Sequence, residues 1–372
     1  MSEPIVIAGG GTGGHVFVAR AVAEALLATG LEIDELRFVG SERGQERELL
    51  ADTGVELTTL PGRGIRRSLA PRALLDNLGA ILGMARAALR ALVLLRRWRP
   101  RAVVSVGGYA AAPVGVAALV LRCPLILVNI DVVPGLTHRV LGRFATASCV
   151  PVAGTGLRGE VVTGIPVRAV FCGLDRSATA RGEARRALGC DPERPFLAVV
   201  TGSLGARSVN RVVVGLAARP EAFSGTIFHV TGRRDAAEIE AERPSSRAGG
   251  PDYRTVAFED RMTLLYQAAD VAVTRAGALT IGELAAAGVA SILVPLPGAP
   301  GDHQTKNARA LVDQGAAVLV PDAELTIDRL ATEVDVLFTA PNARADMEAA
   351  ARALCHPGAA DEVAQVVLSH AR

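Results

Sequence analysis

The chain has 372 residues, more than one ordinary hydrophobic core holds, so two domains are expected. Half of the residues are hydrophobic and 21% are charged, the composition of an ordered globular protein. A net charge of +2 and an aromatic content of 3% exclude a bulk electrostatic case for nucleic acid and leave no row of rings for bases to stack on, so no nucleic-acid partner is expected.

The first predicted element is the most informative. Ile5, Val6 and Ile7 form a short β-branched run that ends in glycines, a threonine and His15, and a helix-like stretch follows at once. That order reads as strand, tight glycine turn and helix start. Glycines let backbone N–H groups approach a ligand, and the helix end adds partial positive charge, so the turn suits an anion. Taken alone it is also the turn that any parallel α/β protein needs after its first strand.

Further strands are predicted near 35–39, 56–60, 102–106, 124–128 and 147–150, with helices near 14–28, 43–52, 72–97, 110–121 and 136–144. Such alternation implies a parallel sheet with helices on both faces. The pattern restarts over 194–217, again as strand, Gly/Ser turn and helix, and strands follow near 226–231, 254–257, 270–274, 290–295 and 317–320. The expected architecture is therefore α/β, with two Rossmann-like domains whose parallel sheets face a central cleft. The first spans 1–163 and the second 164–359, joined near TGIPVRAVF (163–171), where Gly164 and Pro166 break the pattern. A last helix over 360–372 is free to fold back on the first domain.

Five cysteines (Cys123, Cys149, Cys172, Cys190, Cys355) are odd in number, scattered and never spaced as CxxC, which points to a reducing compartment and no zinc site. No basic leader precedes the first strand, so no signal peptide is expected. The apolar stretch from Leu78 to Leu95 is interrupted by Arg86 and Arg90 and is too charged to span a bilayer.

Three later turns are also poised for ligands. Thr201 to Arg207 places Ser203 and glycine N–H groups at a helix start, which suits a phosphate or a simple Ser N-cap. Within 269–288 a strand ends at Arg275, and Ala278, Leu279 and Thr280 begin a helix whose amides suit a diphosphate. Glu283 follows, either to accept hydrogen bonds from a ribose diol or to cap its own helix. In 292–308, Asp302, His303 and Gln304 precede a helix and either hold sugar hydroxyls or form a capping box with Thr305.

GGTGGH (10–15), VGGYAAAP (106–113), PGLTHR (134–139), TGIPVR (163–168), GSLGAR (202–207), RAGALTIGELAAAG (275–288) and DHQTKNA (302–308) occur in this order and spacing. With them the chain resembles the MurG family over nearly its whole length. These are GT-B glycosyltransferases that move N-acetylglucosamine from UDP-N-acetylglucosamine to the polyprenyl-diphosphate-linked lipid I, giving lipid II of peptidoglycan. The resemblance implies that Glu283 holds the ribose hydroxyls, and that Ser203 and the backbone of Ala278, Leu279 and Thr280 hold the diphosphate. It further implies that Arg168 lines the nucleotide site, Gln304 contacts the sugar, and the backbone of Phe258 and Glu259 borders the uracil. Thr12, Gly13 and Gly14 are expected to face the acceptor diphosphate and the donor sugar, with Tyr109 on the acceptor side and His15 at the reacting centre.

The reaction is a displacement at an anomeric carbon, so a base must take the acceptor proton and positive charge must hold the leaving diphosphate. Helix N-termini can do the second job, so neither a metal nor another cofactor is obligatory. His15 is the best candidate base, because imidazole titrates near neutral pH.

One run departs from the family. Val128-Asn129-Ile130-Asp131 stands where the family usually carries His-Glu-Gln-Asn, and His138 replaces the Asn of its GLTN run. Asp131 can accept but not donate hydrogen bonds when ionised, and it is a second candidate base; the resemblance implies that it stands where the family's Asn touches the donor sugar or acceptor. His138 either restores an imidazole or is an ordinary exposed helix residue, and the second reading is preferred. A relative with another acceptor, and a non-catalytic nucleotide-sugar or lipid-binding scaffold, stay as alternatives. A nicotinamide dehydrogenase fits less well, since the second strand ends in Gly40 and Ser41 where a ribose-binding acid is expected.

Residues 63–101 combine Leu74, Leu75, Leu78, Ile81 and Leu82 with flanking Arg63, Arg66, Arg67, Arg72, Arg96, Arg97, Arg99 and Arg101. The leucines suit packing on the sheet, and the arginines with an apolar edge suit an anionic membrane surface. Peripheral attachment to the cytoplasmic face of the cell membrane is expected.

Overall fold

The computed structural model describes residues 3–11, 13–42, 44–61, 71–219, 221, 223–245 and 249–372, with the side chains of 71–82 outside the description. The chain divides into two compact units, one of residues 1–168 with 356–372 and the other of 169–355.

In the first unit, β1 (Ile5–Gly9) is followed by α1 (Gly13–Ala28), β2 (Leu36–Ser41), α2 (Glu46–Leu49) and β3 (Glu56–Leu60). Then come α3 (Pro71–Trp98), β4 (Ala102–Gly107), α4 (Ala111–Val120), β5 (Leu125–Val128), α5 (Leu136–Leu141), β6 (Ala147–Val150) and β7 (Glu160–Val162). These strands form one parallel sheet in the order β3-β2-β1-β4-β5-β6-β7. Its inner strands are buried along their whole length, which is why they read as continuous apolar runs rather than alternating ones. The strand β7 was not expected from the sequence. It is three residues long at the sheet edge, with Val161 and Val162 exposed, and is too short to show a period.

The second unit holds α6 (Ala178–Ala187), β8 (Phe196–Val200), α7 (Arg207–Ala217), β9 (Thr226–Val230), α8 (Ala236–Ala241), β10 (Asp252–Val256), α9 (Met262–Ala268) and β11 (Val271–Thr274). It continues through α10 (Ala278–Ala287), β12 (Ala290–Leu293), α11 (His303–Val312), β13 (Val318–Leu319), α12 (Ile327–Thr339) and α13 (Pro341–Ala353). Its parallel sheet runs β10-β9-β8-β11-β12-β13. Buried Asp270 ties this unit together. It accepts from the Phe196 backbone N–H at 2.8 Å and from Arg185 and Arg181 at 2.8 Å each. The last helix, α14 (Ala359–His370), returns to the first unit and packs against α1.

Both sheets reverse their strand order at one point, between β1 and β4 in the first unit and between β8 and β11 in the second. Chain segments leaving the sheet at such a point diverge to opposite faces and open a crevice at the carboxyl ends of the strands. In the first unit that crevice is floored by backbone. A Cβ on Gly108 (φ +78°) would stand 2.1 Å from the Gly10 carbonyl oxygen, so the loops after β1 and β4 approach as only glycine permits.

The buried carboxylate of Glu46, at the start of α2, fixes this arrangement. One of its oxygens accepts the Gly11 N–H at 2.9 Å and the Ser41 N–H at 3.0 Å. It therefore joins the glycine turn after β1 to the end of β2. Glu46→Ala leaves two N–H groups without their acceptor, at about 1–3 kcal/mol each. The expected outcome is lost hydrogen-exchange protection at the Gly11 and Ser41 amides, with Glu46→Gln, which keeps an acceptor oxygen, retaining most of it.

Candidate active site

The first-unit crevice gathers most of the predicted acceptor-side residues. Gly13 and Gly14 open α1, and a Cβ at Gly14 would meet no heavy atom within 4 Å. Thr12 lies outside the described residues. His15, half-buried in the first turn of α1, lies along the backbone of Gly107, where a Cβ would stand 3.1 Å from its Nε2. Burial pushes its imidazole below the ordinary value of 6.5, against an opposing pull from the carboxylates of Asp131 and Glu46. His15 is thus a neutral imidazole facing two acids at neutral pH.

Tyr109 follows β4 and closes on the glycine turn, with its ring edge 2.8 Å from where a Gly11 Cβ would be. Its hydroxyl is hydrogen-bonded to the Ser41 hydroxyl. Asp131 is half-buried in the loop between β5 and α5. Arg168 stands in this unit too, its guanidinium 4.9 Å from the centre of the Phe17 ring on α1.

His138 corrects the sequence reading. It is not an exposed helix residue: only 3% of it is accessible. The α5 helix turns it inward to Gly107, and its ring lies on the same glycine as His15. Burial, and then the nearby His15 charge, push its pKa down to about 4, while a hydrogen bond from the charged ring to the Ser105 backbone works the other way. Val128 is buried in the sheet and takes no part in the crevice.

In the second unit the predicted residues cluster at the ends of β8, β11 and β12. Ser203 lies in the turn after β8, and its carbonyl accepts the Arg233 N–H at 3.1 Å. Arg233 in turn covers the Phe258 ring at 4.5 Å, which joins the Ser203 turn to the segment after β10. The Glu259 carboxylate is occupied by Arg261 at 2.9 Å, so only its backbone is available in the role expected of it. At α10 the N-cap is Gly277, which has no side chain to cap the helix. The first-turn amides of Ala278, Leu279 and Thr280 therefore have no intrahelical acceptor.

Glu283 sits beyond that first turn and is 7% exposed, so it does not cap its own helix. The expected capping box at Asp302 does not form either. Asp302 adopts a left-handed backbone, makes no bond to a helix N–H, and accepts instead from the Thr305 hydroxyl at 2.7 Å. The Gln304 carbonyl accepts the Leu296 N–H at 2.9 Å, so this side chain offers donors rather than acceptors.

Three contributors gave no signal in the sequence. Glu46 looks like one more charged residue in a polar segment. Ser105 lies inside an apolar strand and is fully buried. Arg275 is a strut between strand ends: it donates to the Val294 and Pro295 carbonyls, the Ser208 hydroxyl and Asp322.

The description "Glycosyltransferase family 28 N-terminal domain" matches residues 5–150, and "Glycosyltransferase family 28 C-terminal domain" matches residues 196–363. Two UDP-N-acetylglucosamine--N-acetylmuramyl-(pentapeptide) pyrophosphoryl-undecaprenol N-acetylglucosamine transferases are similar over their full length. That of Alkalilimnicola ehrlichii is 40% identical, covering 100% of both chains. That of Desulforudis audaxviator is 38% identical, covering 98% of this chain and 97% of its own. The crystal structure of MurG from Acinetobacter baumannii superposes with a TM-score of 0.72 at 28% identity, covering 98% of each chain. With both domains matched in tandem and identity maintained from end to end, the chain belongs to the MurG family within glycosyltransferase family 28.

Proposed function

We propose that the protein is an inverting glycosyltransferase that moves N-acetylglucosamine from UDP-N-acetylglucosamine to lipid I, giving lipid II. The observation that carries this reading is the ring of His15, at the start of α1, lying on Gly107 in a glycine-floored crevice where the Asp131 carboxylate acts on it. An acceptor hydroxyl attacks the anomeric carbon, the bond to uridine diphosphate breaks, and the configuration inverts. His15 takes the hydroxyl proton: a ring kept neutral by burial has its lone pair available at neutral pH. Asp131 faces the imidazolium that forms and stabilises it, or takes the proton in its place.

The second unit binds the nucleotide. The amides at the start of α10 carry the helix's partial positive charge to the leaving diphosphate. Ser203 adds a hydroxyl donor to the diphosphate, and the Glu283 carboxylate accepts from the ribose diol. Gln304 donates to the sugar, and the backbone at Phe258 and Glu259 borders the uracil. Thr12, Gly13 and Gly14 face the acceptor diphosphate and the donor sugar, Tyr109 contacts the acceptor, and Arg168 lines the nucleotide site.

The lipid-linked acceptor is met at the cytoplasmic membrane face, to which the protein binds peripherally. Among the described residues no helix is long and apolar enough to cross a membrane. The described part of α3 carries Leu89 and Val93, 65% and 66% exposed, among exposed arginines. An apolar edge with flanking positive charge suits anionic lipid. The residues 63, 66 and 67 and the side chains of 71–82, which the sequence analysis added to this patch, lie outside the description.

Incubation with labelled UDP-N-acetylglucosamine and lipid I is expected to yield lipid II and UDP. UDP release with other acceptors only, as the altered 128–131 run allows, would move the assignment to another substrate, and donor binding without turnover would make the protein a scaffold. Glu283→Ala is expected to raise the donor KM with little change in kcat. His15→Ala is expected to cut turnover roughly a hundredfold or more. In the wild-type enzyme the acidic limb of the rate is expected below pH 6.5, because protonation removes the base and burial holds that step below the ordinary imidazole value. Co-flotation with anionic vesicles at low salt, lost at high salt, tests the membrane surface.

A further inference from the structure

Two of the departures from the family pattern, at 129 and 138, touch in the fold. His138 Nδ1 lies 3.3 Å from Asn129 Oδ1, and Asn129 Nδ2 donates to the Asp131 backbone carbonyl at 2.7 Å. On its other side His138 Nε2 lies 3.2 Å from the Ser105 hydroxyl. Ser105, Asn129 and His138 are all at least nine-tenths buried. The roles in this chain of bonds are fixed by its end. A backbone carbonyl only accepts, so the Asn129 amide nitrogen must face Asp131 and its oxygen must face His138. The oxygen only accepts, so His138 must carry its proton on Nδ1. Its Nε2 then has a lone pair, and Ser105 donates to it.

We propose that His138 is a positioning residue of the transfer reaction, holding the Asp131 loop in register with the β4 glycine turn through Asn129. This rests on the reading of the protein as a glycosyltransferase, in which Asp131 faces the reacting centre. The α5 segment is anchored from a second point, since the Thr137 hydroxyl donates to the Gly108 carbonyl at 3.2 Å. His138 is also buried too deeply to charge near neutral pH, which keeps its Nδ1–H donor and Nε2 acceptor roles constant over the working range. Asn129 and His138 thus work as one unit, and neither departure is a simple loss.

The test separates the two nitrogens. Asn at 138 can place an amide N–H near the position of Nδ1, whereas Gln reaches the position of Nε2. Displacing a reacting group by a fraction of an ångström to an ångström costs up to about a hundredfold. His138→Gln and Asn129→Asp are therefore expected to lower kcat about tenfold to a hundredfold, and His138→Asn about threefold or less. The double variant H138Q/N129D is expected to be no slower than the worse single variant, because both break the same link. UDP affinity is expected to be unchanged in all of them. Full turnover in both H138Q and N129D, or losses that multiply, would overturn the proposal.

A second measurement does not depend on activity. In protein labelled with nitrogen-15 histidine, the His138 ring, assigned by its absence from H138N, is expected as the Nδ1–H tautomer at neutral pH. An Nε2–H tautomer would overturn the relay whether or not the enzyme turns over. If the wild-type protein fails to convert lipid I, the functional reading falls, and the tautomer still decides whether the relay exists.

Discussion

The first unit depends on backbone approaching backbone. The turns after β1 and β4 lie against each other at Gly10 and Gly108, where a side chain on Gly108 would collide with the Gly10 carbonyl and one on Gly10 with the Glu46 carboxylate. Buried Glu46 holds the first of these turns by the Gly11 N–H and the end of β2 by the Ser41 N–H, and the Tyr109 hydroxyl reaches the same β2 end through Ser41. A crevice built this way presents amides and an imidazole with little side-chain bulk between them.

The two units solve one electrostatic problem with the same device. Each has a parallel sheet that reverses its order, and each places a helix start at the reversal. Their chemistry differs because different side chains stand behind the turns. In the first unit burial keeps two imidazoles neutral beside a carboxylate. In the second, Arg275 is spent on carbonyls and Asp322, which leaves the amides at the start of α10 as the positive end of that turn.

The strands of both sheets were legible because parallel strands buried on two faces produce unbroken apolar runs. The Gly-rich turns before α1, α7 and α10 were legible because small residues between an apolar run and a helical period mark a helix start. The edge strand β7 was not, being too short for a period. The capping alternatives for Glu283 and Asp302 were equally natural from spacing, and only the helix starts, Gly277 for one and the left-handed Asp302 for the other, decide against them.

By itself the sequence determined the α/β class, the repetition of a strand–turn–helix unit, and where the glycine turns lie. These follow from local composition and period. Tertiary structure alone decided that His138 is buried beside His15, that Asn129 is its partner, and that Glu46 holds the first glycine turn. The physical reason is separation along the chain. Ser105 and His138 lie 33 residues apart, Gly11 and Glu46 lie 35 apart, and Ser41 and Tyr109 lie 68 apart. Hydrogen bonds over such spans leave no local pattern, and exist only once the strand order has brought the loops together.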